Sequence, residues 1–360
     1  MKHSKKTKVL FLLPSLCAGG AERILITLMN NLDRERFEPE FVVVKNEGPF
    51  RDWIDDEIPF YSLDCSSIKS SVFKMLKLVK EVQPDVIFTT MVHSNALAIL
   101  MKIFFPKVKV FVREAALPSS ILNGYGLKGR ACWFVYKGLY PLANKVISNC
   151  SQMIDEFKGL VKISTKNHEI LFNPVDQARV KFKTRTPSNP SDPIRFLCVG
   201  RLSYEKGYDR LIEHMAVDFK PDFDWTLEII GEGPFRADLE ALIAKYDLSN
   251  KVILKGYDDK PWMSASYADC LLLPSRWEGM PNVVLEALCS AVPSIAIVDA
   301  GGISDIGKYT RDEDLVITQD MNEFIQQMQK TKHNQNTHSL LPDAFSLPRV
   351  MKQFEAMLTA

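Results

Sequence analysis

Two glutamates eight residues apart, Glu278 and Glu286, lie in the run SRWEGMPNVVLEAL, with Gly279 and Pro281 between them. Carboxylates accept hydrogen bonds from hydroxyls or move protons, and helix interiors avoid Gly and Pro. Pro281 suits the first turn of a helix, where its missing N–H is not needed. The spacing therefore predicts a loop carrying Glu278, Gly279 and Met280, then a helix from Pro281 through Asn282 and Glu286 to Ala291. The helix N-terminus, with unpaired N–H groups and a partial positive charge, offers an anion seat between the two carboxylates. A second run, VGRLSYEKGYDRLI, sets Arg201 after an apolar stretch and Lys206 before Gly207, at the start of another helical pattern. Two cations beside a second helix N-terminus suit a diphosphate. Hydroxyls, anion, hydroxyls is the order of groups in a sugar–diphosphate–ribose molecule.

These residues need elements to hold them. Residues 8–16 read as a buried strand, Gly19–Gly20 as a turn that lets backbone approach a ligand, and 21–32 as a helix. Strand and helix patterns then alternate: strands over 37–45, 86–91, 107–114 and 145–150, helices over 70–85 and 128–143. After the Pro-, Ser- and Asn-rich stretch KFKTRTPSNPSDP the alternation restarts, with strands over 194–202, 225–233, 251–257, 269–275 and 292–298 and a short helix over PWMSASYA. Alternation of this kind predicts parallel sheets covered by helices on both faces. The expected fold is α/β, with two Rossmann-like, doubly wound domains facing a cleft. Their expected limits are 1–182 and 194–340, with a linker over 183–193 and a helix in 341–360 that packs back on the first domain.

Length and composition agree with two soluble domains: 360 residues, 46% hydrophobic and 25% charged. No apolar run approaches the roughly 18 residues of a membrane span, and NALAILMKIFF is interrupted by Lys102. The basic, then apolar N-terminus reads as a first strand and its turn rather than a signal segment, because Pro14 and Gly19–Gly20 follow so soon. Seven cysteines without a CxxC spacing read as buried thiols in a reducing compartment. Residues 1–185 hold 28 Lys and Arg against 18 Asp and Glu, leaving 17 against 26 for the rest. The basic half should favour an anionic surface or substrate. GEGPFR has Arg236 where a dinucleotide fingerprint needs its third Gly. The Asp222–Asp224 and Asp312–Asp314 pairs read as turn residues, and no His, Asp or Glu cluster predicts a metal.

Taken together, GGAER, VGRLSYEKGYDRLI, IIGEGPFRADLE and SRWEGMPNVVLEALCSAVP resemble the family 4 retaining glycosyltransferases of GT-B fold, with Glu278 and Glu286 as the family's E-x7-E pair. The resemblance runs along nearly the whole chain and is strongest over 195–302. It implies that Arg201 and Lys206 hold a donor diphosphate, and that Glu278 contacts the transferred sugar. By the same likeness Gly279, Met280, Pro281 and Asn282 cradle sugar and phosphate, Glu286 binds the ribose, and Gly256 and Tyr257 meet the nucleobase. It places Gly19 and Gly20 at the reaction centre and His93, in MVHSNALA, near the sugar. Arg113–Glu114 stands where many members carry a histidine and is expected on the acceptor side. Asp305 replaces the usual Glu after Gly301–Gly302.

The resemblance further implies a nucleotide-sugar substrate, a UDP-sugar favoured over a GDP-sugar, with no obligatory cofactor or metal and no nucleic-acid partner. The expected acceptor is a polyprenyl-diphosphate-linked glycan, for surface polysaccharide, at the cytoplasmic face of the plasma membrane. Peripheral contact with anionic lipid through residues 70–82 or 128–145 is expected. The alternatives are a non-catalytic nucleotide-sugar-binding module and a same-fold enzyme such as an epimerase.

Overall fold

The computed structural model describes residues 5–17, 19–124, 127–178, 180, 191–258, 261–262 and 267–359. Most of the expected linker and the middle of PWMSASYA lie outside them. The chain forms two compact units, Met1–Pro174 with Pro348–Ala360, and Val175–Leu347. The division thus falls ahead of the expected linker, and the final helix groups with the first unit.

In the first unit, β1 (Thr7–Leu13), β2 (Phe37–Val43), β3 (Phe60–Ser62), β4 (Val86–Thr90), β5 (Lys109–Arg113), β6 (Lys145–Ser148) and β7 (His168–Ile170) form one sheet. Its order is β3-β2-β1-β4-β5-β6-β7, and every pairing is parallel. A parallel sheet is buried on both faces, so its central strands are continuous apolar runs. Val9 to Leu13 of β1 are fully enclosed. The helices are α1 (Gly20–Asn30), α2 (Ile68–Val82), α3 (Val92–Phe104), α4 (Pro118–Gly124), α5 (Leu127–Gly138) and α6 (Ser151–Glu156). Helix α2 begins at a Ser67–Ser70 capping box, which satisfies N–H groups that no helical carbonyl can reach. Helix α3 begins on Val92, directly after Met91, so His93 is its second residue.

The second unit repeats the plan with β8 (Ile194–Val199), α7 (Tyr208–Asp218), β9 (Trp225–Ile230), α8 (Arg236–Lys245), β10 (Val252–Gly256), β11 (Cys270–Leu273) and α9 (Asn282–Cys289). It continues with β12 (Ser294–Ile297), α10 (Ile303–Gly307), β13 (Leu315–Thr318) and α11 (Met321–Met328). The order β10-β9-β8-β11-β12-β13 is again all parallel. Helix α12 (Leu347–Thr359) closes the chain. Its Phe354 packs on Phe88 and Phe11 of the first sheet at 4.9 and 6.4 Å between ring centroids. Its Glu355 accepts from Arg36 at 2.9 Å and from the Asp33 N–H at 3.0 Å.

Each sheet therefore reverses its winding once, at β1/β4 and at β8/β11. Ligands of open α/β sheets bind beyond the C-terminal strand ends at such a switch point. All seven cysteines are free, and six are buried. Among the described residues no helix is long and apolar enough to cross a membrane.

Candidate active site

At the β8/β11 switch point, Arg201 lies just past the tip of β8 and is exposed. Lys206 ends a short 3-10 turn, and Gly207 follows at φ 69° as the N-cap of α7. A Cβ on Gly207 would stand 2.0 Å from the Pro274 carbonyl oxygen, so only Gly lets this turn pass so close to the end of β11. From the other loop, Glu278 Oε1 accepts from Lys206 Nζ at 2.7 Å and from Ser275 Oγ at 2.8 Å. The two runs that spacing picked out separately are thus one cluster. The pair is largely shielded, with Lys206 20% and Glu278 15% exposed, so each charge depends on its partner more than a surface pair would.

Helix α9 opens directly behind this pair. Pro281 is its N-cap, with φ −75° and ψ 87°, rather than its first residue. The first-turn N–H groups of any helix face its N-terminus, here the end that follows the Glu278 loop, and Glu286 lies half-buried within the helix. The loop itself is braced from a third segment. Gly302 N–H donates to the Gly279 carbonyl at 2.7 Å. Gly301, at φ 60°, leaves no room for a Cβ, which would stand 2.1 Å from the Glu278 carbonyl oxygen. Asp305, the shorter acid noted above, is buried and takes Lys308 at 2.7 Å.

Two arginines that sequence reasoning passed over stitch the loops together. Arg276 binds Asp209 through both Nη atoms at 2.8 Å, reaches the Tyr204 carbonyl at 2.6 Å and stacks 3.9 Å over the Tyr204 ring. The paired guanidinium and backbone bonds hold the Asp209 carboxyl below its ordinary range against the opposing cost of burial. Arg210 donates to the carbonyls of Pro274 and Ser275, both at 2.9 Å. Their only signal in the sequence is position, one within each of the two quoted runs. Gly256 (φ 83°) ends β10, and Tyr257 beyond it is 73% exposed.

The first unit's switch point is built differently. Gly19 caps α1, and a Cβ there would stand 2.2 Å from Glu22 Oε2. Glu22, which the sequence reading left without a role, is buried, and burial raises its carboxyl. His93 is exposed beyond β4. Arg113 and Glu114 are each 1% exposed, so whatever they offer a ligand passes through their neighbours. Arg113 donates to Asn173 Oδ1, and burial lowers its guanidinium to about 10. Glu114 accepts from Tyr140 and, at 2.8 Å, from Asn95. Burial raises its carboxyl to about 7, outweighing the hydrogen bonds from Tyr140, Asn95 and Tyr136 and the Arg113 charge, which all lower it.

Of the basic stretches, α2 leaves Phe73 84% exposed, while in α5 Phe134 points outward and Tyr136 belongs to the core, as does Tyr140 just after it. Any lipid-facing surface there excludes those two tyrosines. No group of His, Cys, Asp and Glu among the described residues could hold a metal. Asp224 pairs with Lys251 and Asp314 with Arg311.

Residues 18–179 match the family model described as Glycosyltransferase Family 4, and residues 180–341 the one described as Glycosyl transferases group 1. The N-acetylgalactosamine-N,N'-diacetylbacillosaminyl-diphospho-undecaprenol 4-alpha-N-acetylgalactosaminyltransferase of Campylobacter jejuni is 28% identical over 291 residues, 77% of each chain. The UDP-Gal:alpha-D-GlcNAc-diphosphoundecaprenol alpha-1,3-galactosyltransferase of Escherichia coli is 25% identical over 350 residues, 90% of this chain and 87% of that one. Among solved structures, Anabaena HepE in complex with UDP and glucose superposes with a TM-score of 0.78 at 20% identity, covering 98% of this chain and 99% of that one.

Proposed function

The chain belongs to the family 4 glycosyltransferases of GT-B fold, and from that premise we propose that it moves a sugar, with retention at the anomeric carbon, from a nucleotide sugar to a lipid-linked glycan. The observation that carries the reading is the Lys206–Glu278 pair, 2.7 Å apart between two loops at the β8/β11 switch point. One partner suits a diphosphate and the other a sugar hydroxyl. Arg201, Lys206 and the N-terminus of α9 hold the diphosphate, with the backbone of Gly279 to Asn282 around sugar and phosphate. Glu278 orients the sugar, Glu286 the ribose, and Gly256 and Tyr257 the base. Gly19, Gly20 and His93 serve the sugar and the acceptor.

As the bond from anomeric carbon to phosphate oxygen breaks, its electron pair leaves with the diphosphate. The acceptor hydroxyl forms the new bond and gives its proton to the departing phosphate. Fixed cations stabilise the charge that develops, and they need no reorganisation at that moment. No step in this scheme requires a cofactor.

A UDP-sugar is favoured because the Escherichia coli relative is named for one and the Anabaena structure holds UDP. A polyprenyl-diphosphate-linked acceptor is favoured by the names of both curated relatives, each of which specifies a diphospho-undecaprenol-linked sugar. The excess of Lys and Arg in residues 1–185 fits work against an anionic membrane face. A binding panel of UDP- and GDP-sugars, followed by product analysis with a polyprenyl-linked acceptor, tests the proposal. Binding without transfer or donor hydrolysis would leave a nucleotide-sugar-binding module instead.

A further inference from the structure

The junction that presents His93 is strained and pinned from within. Met91, between β4 and α3, sits at φ 73° and ψ 134°, a conformation that residues with a Cβ rarely adopt. Such strain persists only where the surroundings over-determine it. Here Asn95 supplies them. Its backbone N–H closes the first turn of α3 onto the Met91 carbonyl at 2.9 Å. Its side-chain Nδ2 reaches the Arg113 carbonyl at 3.0 Å, Glu114 Oε1 at 2.8 Å and Tyr140 Oη at 2.9 Å.

Tyr140 in turn donates to the same Glu114 oxygen, and Tyr136 reaches Oε2 at 3.4 Å. Asn95, Glu114, Tyr136 and Tyr140 are all at most 1% exposed. Residues two apart on a helix face nearly opposite directions. Fixing Asn95 inward therefore turns His93 outward, and His93 is exposed.

We propose that Asn95 and Glu114 are positioning residues for His93, holding the strained turn so that its imidazole leaves the β4 tip in one direction, toward a sugar or acceptor hydroxyl. This rests on the transferase reading above. It assigns the buried Glu114 a role that it can play without touching a ligand.

The test follows imidazole NMR signals and sugar transfer in parallel on the full chain, with His93→Gln identifying the His93 signals. Asn95→Ala is expected to shift or broaden those signals and to lower kcat by roughly tenfold or more, while the donor KM changes by less than about threefold. Glu114→Ala does the same, and Glu114→Gln, which keeps an oxygen for Asn95, recovers most of the loss. If Asn95→Ala does not fold, Tyr140→Phe, which removes one hydroxyl from the cluster, is read by the same two signals. A packing role alone would lower melting temperatures while leaving the His93 signals and the kcat per folded molecule where they were, and that result overturns the proposal. Should the parent chain transfer no sugar while the imidazole signals still move in the variants, positioning stands and the transferase reading falls.

Discussion

The two switch points are built from opposite materials. The one at β8/β11 is assembled from largely shielded charges on two loops and the first turn of α7: Lys206 on Glu278, Arg276 on Asp209, and Arg210 on the carbonyls just past β11. The one at β1/β4 is assembled from enclosed groups, with Glu114, Asn95 and Tyr140 bonded together behind an exposed His93. A loop that binds a polyanion needs cations within reach of solvent, and these in turn need carboxylates to hold them when no anion is present. A turn that aims one side chain needs rigidity, which buried polar groups bonded to one another provide. The first arrangement is sensitive to single charges, and the second to packing and protonation.

Four measurements sharpen or break that contrast. Lys206→Ala removes a charge from the proposed leaving-group clamp and strips Glu278 of its partner. Turnover should fall by about 10²–10³ with the fold retained, and unchanged turnover would remove the clamp assignment. Gly301→Ala pushes a Cβ against the Glu278 carbonyl, 2.1 Å away in the present geometry, at a left-handed φ of 60°. A loss of roughly 10- to 100-fold in turnover is expected from displacing Glu278, accompanied by a lower melting temperature.

Glu114 tests the enclosed switch point through pH. Its carboxyl ionises near 4.5 when unfolded and at about 7 when folded. The folded state therefore binds the proton more tightly, and this stabilisation is fully present below the lower value and lost as pH rises through the upper one. The loss is on the order of 3 kcal/mol. Glu114→Gln lacks this dependence, so its melting temperature should gain on that of the parent as pH is raised from about 5 to about 8. Parallel curves would show that the carboxyl is not held neutral.

The smallest effect is expected at Met91. Met91→Gly accepts the observed φ of 73° without Cβ strain and should raise stability by up to about 1 kcal/mol. Thermal unfolding measures it, and a lower melting temperature would mean that the turn is not strained.

Legibility in the sequence followed the same division. Glu278, Arg201 and Lys206 could be picked out because charges beside Gly at strand ends are chemically conspicuous, and Glu286 by its eight-residue spacing from Glu278. The long central strands were readable because burial on both faces makes them continuous apolar runs. The edge strands Phe60–Ser62 and His168–Ile170 were not, since three half-buried residues carry no period. In 310–340, β13 and α11 were also missed, the strand having only four residues. The place of His93 in a helix was not legible either, because α3 begins on Val92 without a capping side chain to announce it.

By itself the sequence determined the α/β class, the parallel winding, the two-domain plan and the glutamate motif, because each is local chemistry repeated at a fixed period or spacing. Only the tertiary structure brought Lys206 within 2.7 Å of Glu278, 72 residues away, and closed Asn95 onto Glu114. It also made Gly301 a brace for a loop more than twenty residues earlier. Such contacts depend on which strand tips become neighbours, and that is set by the sheet order rather than by any stretch of chain read alone.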